Sequence, residues 1–318
     1  MRTRRSISSS DSVARAASAN ATASQGHRPV LLHEAIQTLE IQSDDVLVDA
    51  TLGGSGHALA SVGKLGERGV FIGFDLDEDA IMRAREALKG ARCKVHLVQA
   101  NFRNLKAELE KLGITTITKA LFDLGWSSYQ LEVGRGFSFL RDEPLSMTYA
   151  KSGGIVTAGT VVNEWKERSI ADILFGFGEE RYSRRIAREI VERRRTKPFA
   201  TSLELAEFIK GIVPRGYARG RIHPATRTFQ ALRIAVNDEL GALSDGLRQA
   251  VELLEAGGRM AVITFHSLED RAVKQLFANL EKEGVGRRVV KKPITPTDGE
   301  IAENPRSRSA KLRAFEKY

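Results

Sequence analysis

A carboxylate followed directly by a glycine-rich loop is the clearest sign of chemistry in this sequence. Asp49 ends an apolar run, and the loop after it contains Gly54, Ser55, Gly56 and His57. Glycines let a backbone approach a ligand closely, but an acid beside the loop would repel the pyrophosphate of a dinucleotide. The carboxylate instead favours a cationic ligand, and S-adenosylmethionine carries both a sulfonium and an ammonium group. The alternative is a purely structural turn, because glycine turns often follow strands.

Three further apolar runs deliver an acid or an aromatic ring at their C-terminal ends. Asp75 ends the second run and can bind two ribose hydroxyls. Phe102 follows the third run and could stack on adenine, and Asp123 ends the fourth. Taken singly, each run is at least as easily explained as a core strand that ends in a solubilising acid as by a contact with a ligand. Four such ends in one order predict a doubly wound sheet, because ligands of open α/β sheets bind beyond the carboxyl ends of the strands.

Eight sequence motifs in a fixed order give the chain a family resemblance. They are His27-Arg-Pro-Val-Leu-Leu-His-Glu34, the loop 49–57, Asp123-Leu-Gly-Trp-Ser-Ser128, Arg135-Gly-Phe-Ser-Phe139, Gly178-Glu-Glu-Arg181, His223-Pro-Ala-Thr-Arg-Thr-Phe-Gln-Ala-Leu-Arg-Ile234, Phe265-His-Ser-Leu-Glu-Asp-Arg271 and Asn304-Pro-Arg-Ser-Arg-Ser-Ala-Lys-Leu-Arg313. On these motifs the sequence resembles the bacterial-type small-subunit (16S) ribosomal RNA cytosine-N4 methyltransferase family, methyltransferase H, from about residue 27 to residue 318.

The resemblance implies a fold, a cofactor and a substrate. The expected fold is α/β: a class I S-adenosylmethionine-dependent methyltransferase with a Rossmann-like, doubly wound sheet and an inserted helical domain. The expected reaction is methylation of a cytosine N4 amine near the decoding centre, in an assembled or nearly assembled small subunit. The cofactor contacts of the family fall on Ser55, Gly56, His57, Asp75, Phe102, Asp123 and Gln130. We add Asp49 and Gly54 to these cofactor candidates because both belong to the glycine-rich loop.

About a hundred residues after the fourth run exceed the needs of a minimal doubly wound domain. We therefore expect a disordered basic tail over 1–26, a core domain over 27–134 and 224–318, and an inserted helical substrate-binding domain over 135–223. Periodicity predicts helices over 170–195, 202–213, 225–254 and 268–280, a strand over 257–265, and an antiparallel pair at 288–291 and 311–315. Thr201-Ser-Leu-Glu204 predicts a helix start.

The positive charge of the chain is concentrated at its two ends. The net charge is +9, of which residues 1–26 hold +3 and residues 284–318 hold +5, as expected for arms that touch a polyanion. A single cysteine, Cys93, excludes an intramolecular disulfide, and no apolar run approaches the ~20 residues of a membrane span. We expect a cytoplasmic protein, or a mitochondrial one if 1–26 is a transit peptide. A homodimer remains possible.

Arginines at helical spacing suggest a surface for RNA. Arg184 and Arg188 fall on one predicted helix face, and Arg227 and Arg306 lie in other basic segments. Trp126 could stack on a flipped cytosine. The alternatives are a solvated charged face and a core tryptophan.

Methylation of a cytosine amine is difficult because the nitrogen lone pair is delocalised into the ring. A protein helps by aligning the amine with the methyl donor and by accepting hydrogen bonds from the amine. Asp123 is the main candidate, although it could only close the cofactor pocket, and Asp142 is a second candidate. The segment 142–150 departs from the family pattern: Ser146 and Ala150 replace acids, and Thr148 replaces an arginine.

Other interpretations remain open at this point. His266 invites a metal or general-base role, but a strand-to-helix turn capped by Ser267 or Asp270 is the simpler reading. No residue spacing predicts a metal site. A non-catalytic ribosome-assembly factor would keep the RNA surface, and the altered segment 146–150 favours it. An NAD-dependent oxidoreductase is the third possibility, and Asp49 argues against it.

Overall fold

The computed structural model describes residues 28–125, 134–149, 156–220 and 222–318. Its strands are β1 Val46–Asp49, β2 Val70–Asp75, β3 Lys94–Gln99, β4 Ile117–Asp123, β5 Leu254–Thr264, β6 Gly286–Arg288 and β7 Lys311–Lys317. They form one seven-stranded sheet within the described residues, in the order β3-β2-β1-β4-β5-β7-β6. Strands β1 to β5 run parallel to one another, whereas β7 is antiparallel to both β5 and β6.

Helices cover both faces of this sheet and form a separate group beside it. They are α1 Leu32–Leu39, α2 Gly56–Val62, α3 Glu78–Ala87, α4 Leu105–Lys111, α5 Ala158–Glu164, α6 Glu167–Gly178, α7 Ser183–Arg194, α8 Ser202–Ile212, α9 Arg215–Ala218, α10 Thr226–Asn237, α11 Glu239–Leu253, α12 Ser267–Lys282 and α13 Asp298–Glu303. Short 3₁₀ turns follow β3 at Phe102–Asn104 and precede β7 at Pro305–Ser309. Within the described part of the chain, no helix is both long and apolar enough to cross a membrane.

The central strands are apolar on both faces because both faces are covered. On one face, Val48 and Ile72 pack with residues of α4, α11 and α12. On the other face, Leu47 and Phe71 pack with residues of α2 and α3, while α1 covers β4 and β5. Strands buried on both sides have continuous apolar runs rather than alternating ones. This arrangement confirms the predicted doubly wound α/β fold.

The sheet topology brings the acidic strand ends to one edge. The chain runs outward from β1 to β2 and β3 on one side, and later resumes with β4 and β5 on the other. The register aligns Asp49 with Gly73 on β2 and with Leu121 on β4. Ligands of such sheets bind at this point of reversal, outside the carboxyl ends of the strands.

Helices α5 to α9 surround a hydrophobic cluster of their own. Buried members include Val161, Ile170, Ile186 and Leu205. Helix α10 packs into the same cluster through Phe229, although the predicted boundary at residue 224 assigned α10 to the core domain. We propose that the inserted domain ends after α10 rather than at residue 223, because α10 packs with the inserted helices.

Two long helices predicted from periodicity are each broken in the structure. The helix predicted over 170–195 is α6 and α7, separated at Glu179 with φ 49°. The helix predicted over 225–254 is α10 and α11, separated at Asp238 with φ 47°. At the end of α6, Gly178 lets α10 pack closely, because a Cβ there would lie 2.5 Å from the carbonyl oxygen of Arg227.

Other local predictions are confirmed. Thr201 caps α8, and its side chain accepts a hydrogen bond from the backbone N–H of Glu204. The Glu204 side chain in turn accepts from the N–H of Ala200, one residue earlier than in a standard capping box. The C-terminal antiparallel pair is β6 with β7, where β6 begins two residues before the predicted run.

Candidate functional site

An open cavity of about 830 Å³ lies beyond the carboxyl ends of β1, β2 and β4. Its floor includes residues of the β1 loop and the strand ends, and its far wall comes from the segment 134–149 and the starts of α11 and α12. The lining residues are Ala50, Thr51, Gly53, Asp75, Leu76, Ala100, Asn101, Phe102, Asp123, Leu124, Gly125, Tyr149, Asn237, Glu239, Ala242, Leu243 and Glu269.

Asp75 sits at one end of this cavity with both carboxylate oxygens oriented by the backbone. Oδ2 accepts a hydrogen bond of 2.9 Å from the N–H of Gly53, and Oδ1 accepts one of 2.9 Å from the N–H of Asp77. Burial raises the pKa of Asp75, and these two hydrogen bonds oppose the shift. Each oxygen keeps a second lone pair, so a fixed carboxylate is available to a pair of hydroxyl groups.

The aromatic side of the cavity is built around Phe102. Its ring packs edge-on against Phe122, with centroids 5.6 Å apart. It also lies against the backbone of α11, since a Cβ on Gly246 would come within 2.6 Å of the ring. With Ala242 and Leu243 also lining the cavity, this end offers a flat apolar surface to a heterocycle.

Asp49 is a buried carboxylate with one unused oxygen. It is 1% exposed, and Oδ1 accepts a hydrogen bond of 3.1 Å from the N–H of Thr51. Oδ2 has no hydrogen-bond partner among the described residues. Burial raises the pKa of Asp49 to about 6, although the nearby His57 opposes the shift. A buried carboxylate oxygen without a partner is costly, and a cationic ligand would remove that cost.

His57 links the β1 loop to the end of β4. Its Nε2 lies 3.1 Å from the carbonyl oxygen of Val30, and its Nδ1 lies 3.4 Å from Oδ2 of Asp123. Burial lowers the pKa of His57, but the hydrogen bond and charge of Asp123, with the charge of Asp49, raise it above the ordinary value overall. Both ring nitrogens face acceptors, and only the imidazolium donates from both.

Asp123 lines the cavity, and its other carboxylate oxygen, Oδ1, is not held by any residue that the structure describes. Its backbone N–H donates a 2.7 Å hydrogen bond to Oγ1 of Thr51, which fixes the strand end. Oδ1 is buried and has no partner among the residues described. The floor therefore holds Asp49, Asp75 and Asp123 against one imidazole. This excess of carboxylates favours a ligand that carries positive charge and hydrogen-bond donors.

The far wall is a hydrogen-bonded network that ties the segment 134–149 to α10 and α11. The Tyr149 hydroxyl donates a 2.7 Å hydrogen bond to Oε1 of Glu239, and Nη2 of Arg233 donates one of 2.8 Å to Oε2. Asn237 accepts from the N–H of Tyr149 and donates to the carbonyl of Met147. Burial and the charge of Glu239 raise the pKa of Tyr149 well above its ordinary value. The phenol therefore remains a neutral donor.

Three side chains of this wall come close enough together to hold a metal ion: Glu239, His266 and Glu269. Each of them also has protein partners. Glu239 pairs with the buried Arg233, and Oε2 of Glu269 accepts from the N–H groups of Phe265 and His266. Nδ1 of His266 accepts from the N–H of Glu269. The guanidinium of Arg233 therefore supplies the positive charge beside Glu239 and Glu269.

The cap of α12 is His266 itself, not Ser267 or Asp270. His266 and Glu269 form a reciprocal capping box at the helix start. Ser267 instead donates a 2.8 Å hydrogen bond to Glu179, and Asp270 binds Lys311 and Arg313 of β7. A histidine Nδ1 accepts a hydrogen bond as a serine oxygen does, which the residue preferences for caps do not anticipate.

A model of the MraW methylase family matches residues 24–318. The chain belongs to the MraW methylase family. It is 47% identical to a ribosomal RNA small subunit methyltransferase H from Paenibacillus sp. (strain JDR-2), over 92% of this chain and 99% of that relative. Relatives of the same name from Clostridioides difficile (strain 630) and Brevibacillus brevis (strain 47 / JCM 6285 / NBRC 100599) are each 44% identical, over 92% and 93% of this chain and 98% and 99% of their own lengths.

In this member of the MraW methylase family, only part of the predicted site lines the cavity. Asp75, Phe102 and Asp123 line it. Asp49 is buried in the floor beneath the lining residues. The loop residues Gly54, Ser55, Gly56 and His57 are not among the lining residues; they form the turn into α2, where Ser55 has φ 64° and a buried hydroxyl without a partner among the described residues.

The remaining predicted residues lie elsewhere. Asp142 is exposed and does not line the cavity, so the geometry gives its catalytic role no support. Arg184 and Arg188 are exposed on α7, and Arg188 pairs with Glu189. Nη1 of Arg227 donates to the carbonyl of Glu179, and Arg306 lies in the 3₁₀ turn before β7. Trp126 and Gln130 fall outside the described residues.

Sequence reasoning missed the far wall. Tyr149, Asn237, Glu239 and Glu269 all line the cavity, and none was a candidate. Glu239 follows the break at Asp238, which the periodicity did not reveal. Glu269 lies in the motif 265–271, where the reasoning was directed at His266. The position of Glu269 within this motif was the sequence signal that could have identified it as a site residue.

Proposed function

We propose that this protein transfers a methyl group from S-adenosylmethionine to the N4 amine of a cytosine in small-subunit ribosomal RNA. The observation that carries the proposal is the buried Oδ1 of Asp123, an acceptor without a partner among the described residues at the edge of an open cavity. Membership of the MraW methylase family supports the reaction class. The name shared by the three relatives supports the substrate class.

The residues fit the cofactor by charge and shape. Asp75 offers an oriented carboxylate to the two ribose hydroxyls, and Phe102 offers its ring to adenine. The charge of Asp49, buried beneath the lining residues, favours the cationic methionine end. When bound, S-adenosylmethionine supplies an electrophilic methyl group on a sulfonium.

The task left to the chain is to make a cytosine amine nucleophilic. Asp123 accepts a hydrogen bond from the amine, which localises the nitrogen lone pair. His57 holds the other oxygen of Asp123 and so fixes its direction. Gly125, which lines the cavity, packs directly against the ring of Phe265, because a Cβ there would lie 2.7 Å from that ring. Tyr149 and Glu239 close the side of the cavity opposite these residues.

The finer substrate assignment follows the family resemblance: a cytosine near the decoding centre, reached in an assembled or nearly assembled subunit. The base must leave its neighbours to enter the cavity. The basic ends of the chain and the arginines of α7 supply charge for phosphate contacts.

A non-catalytic assembly factor is the second candidate, and the hydrogen bonding of the segment 146–149 favours it. Ser146 and Thr148 bond to each other at 3.0 Å, and the Tyr149 hydroxyl is engaged by Glu239. This stretch of the wall therefore offers the base no free carboxylate or guanidinium of its own.

Methylation of purified small subunits that lack the modification decides between the two. The protein is incubated with subunits and S-adenosylmethionine labelled on the methyl group, and the modified nucleoside is identified by mass spectrometry. We expect one N4-methylated cytidine per subunit. If the protein binds both cofactor and subunit without methyl transfer, the assembly factor is correct. If it binds NAD and not S-adenosylmethionine in calorimetry, both candidates fail.

A further inference from the structure

A second open cavity, of about 610 Å³, lies on the inserted helices away from the strand ends. It is lined by Arg181, Gly216, Tyr217, Gly220, Ile222 and Arg227. These residues come from the turn between α6 and α7, from α9 and the segment after it, and from the start of α10. The proposed methyl-transfer chemistry does not use this cavity.

Arg181 is held in this cavity by the faces of two aromatic rings. Its guanidinium carbon lies 4.8 Å from the ring centre of Tyr182 and 4.7 Å from that of Tyr217. The two rings meet edge-to-face with centres 5.0 Å apart. Stacking uses the faces of a guanidinium and leaves the N–H groups in its plane available. No hydrogen bond or ion pair joins Arg181 to any other described residue.

A buried acid fixes the ring beneath Arg181. The Tyr217 hydroxyl donates a 2.6 Å hydrogen bond to Oε2 of Glu180, which is fully buried. The other oxygen of Glu180 accepts from the N–H of Tyr182. Burial, with the hydrogen bond to Glu180, raises the pKa of Tyr217 to about 12. The arginine is therefore preorganised before any ligand arrives, which lowers the entropic cost of binding.

The acids nearest this cavity are bound to other groups rather than to its arginines, since Glu180 accepts from Tyr217 and Tyr182. Glu179 binds Ser267 at 2.8 Å and Arg271 at 2.9 Å, both on α12. Arg227 donates to the backbone carbonyl of Glu179, and within the described residues it forms no ion pair with a carboxylate. Two cations thus line one cavity, and neither has a carboxylate partner among the described residues.

We infer that this second cavity binds a phosphodiester group of the RNA substrate, and the inference rests on the proposed function. The planar fork of Arg181 matches two phosphate oxygens, and Arg227 supplies a second positive charge. Ile222, 50% exposed, offers an apolar contact to the adjoining sugar. Glu179 ties this cavity to α12, whose first turn contributes Glu269 to the cofactor cavity. A bound phosphate would therefore fix the register of the RNA relative to the methyl-transfer site.

The test measures the affinity of the full chain for a fluorescein-labelled, single-stranded 12-nucleotide RNA that contains cytidine, by anisotropy at several salt concentrations. Arg181→Ala should bind about tenfold more weakly or worse, the scale for a hydrogen bond to a charged group. The slope of log affinity against log salt should flatten by about 0.7, the value for one phosphate contact on a single strand. Arg181→Lys keeps the charge but lacks the planar fork, so its RNA affinity should lie between that of the unaltered protein and that of Arg181→Ala.

Arg168→Ala is the matched control. Arg168 also belongs to the inserted helices, its side chain is 94% exposed, and its only ion-pair partner among the described residues is Asp172, 3.9 Å away. The control should keep the affinity and the salt slope of the unaltered protein. The thermal unfolding midpoint of Arg168→Ala should match that of the unaltered protein, and that of Arg181→Ala should be only slightly lower, because the variant loses exposed contacts with two tyrosine rings.

Unchanged RNA affinity and salt slope in Arg181→Ala would overturn the inference. Arg181-dependent binding of a polyglutamate peptide, without Arg181-dependent RNA binding, would also overturn it and would identify an acidic protein as the partner. The proposed function fails separately. If the unaltered protein does not methylate subunits while RNA binding depends on Arg181, the phosphate site stands and the enzyme does not.

Discussion

Substitution of Asp123 by asparagine tests the chemistry most directly, because it preserves shape and removes one charge. In the protein, Oδ1 of Asp123 is buried without a partner among the described residues, and Oδ2 lies 3.4 Å from Nδ1 of His57. If the new amide turns its oxygen to the cavity, its NH₂ group faces His57, which must then be neutral. If it turns the other way, a donor faces the cytosine amine, which is itself a donor. Either orientation weakens the acceptor that the reaction needs.

The expected loss follows from the strengths of hydrogen bonds. A hydrogen bond to a charged group contributes about 1.5–3 kcal/mol and one to a neutral group about 0.5–1.5. The midpoints of these two ranges differ by about 1.25 kcal/mol, which is close to the ~1.4 kcal/mol that changes a rate tenfold. Loss of a whole polar contributor in a site that excludes water costs up to about a thousandfold. The saturated rate of Asp123→Asn should therefore fall by about ten- to a thousandfold.

Single-turnover methylation of small subunits across a cofactor titration separates rate from affinity. If Asp123 only binds the cofactor, the cofactor concentration for half-saturation rises and the saturated rate is unchanged. NMR titration of the His57 ring gives an independent readout. Burial lowers the pKa of His57 and Asp123 is the main group that raises it, so the pKa should fall in the variant.

A saturated rate equal to that of the unaltered protein would refute the catalytic role of Asp123. Asp172→Asn provides the matched control, because Asp172 is 72% exposed on α6. The control should change neither the saturated rate nor the pKa of His57. If the pKa of His57 falls while the rate is preserved, the contact between the two side chains is real and only the chemistry is wrong.

Three further predictions concern the cofactor and the inserted helices. Asp75→Ala should weaken S-adenosylmethionine binding by about 1.5–3 kcal/mol, and unchanged affinity in calorimetry would remove Asp75 from the site. Because burial raises the pKa of Asp49 to about 6, its charge is lost as the pH falls, so cofactor affinity should be about tenfold lower at pH 5 than at pH 7; Asp49→Asn should flatten this dependence, and a profile identical to the unaltered one would contradict the assignment. Thr201→Ala should lower the free energy of unfolding by about 1 kcal/mol in urea denaturation, whereas Thr201→Ser should keep it, since the serine oxygen can still accept from Glu204.

The sequence predicted the sheet and its strand ends because both depend on local rules. Parallel strands with two covered faces are continuously apolar, and their carboxyl ends share one edge of the sheet. Asp75 and Asp123 were therefore expected at a common site, and both line the cavity. The acid in the floor, Asp49, was expected from the loop that follows it.

The far wall was beyond such rules because tertiary contacts alone assemble it. Tyr149, Arg233 and Glu239 meet only after the segment 134–149 folds against α10 and α11. For a related reason, the breaks in the two long predicted helices were not predicted. Glu179 and Asp238 both adopt φ near 50°, a conformation that favours glycine or asparagine at helix ends. The strain there is offset by contacts that no periodicity records, such as the ion pair of Asp238 with Arg103.

The first turn of α12 connects the two cavities. Glu269 lines the cofactor cavity and also anchors the N–H groups of Phe265 and His266. Two other side chains of the same helix bind Glu179, whose carbonyl in turn holds Arg227 at the second cavity. The start of α12 is held by its own capping hydrogen bonds and by the contacts with Glu179. It therefore behaves as a rigid link between the two cavities. The distance between the proposed methyl-transfer site and the proposed phosphate site is thus set by protein contacts that exist before RNA binds. On this proposal, selection of one cytosine along an RNA strand is a matter of register as well as of base recognition.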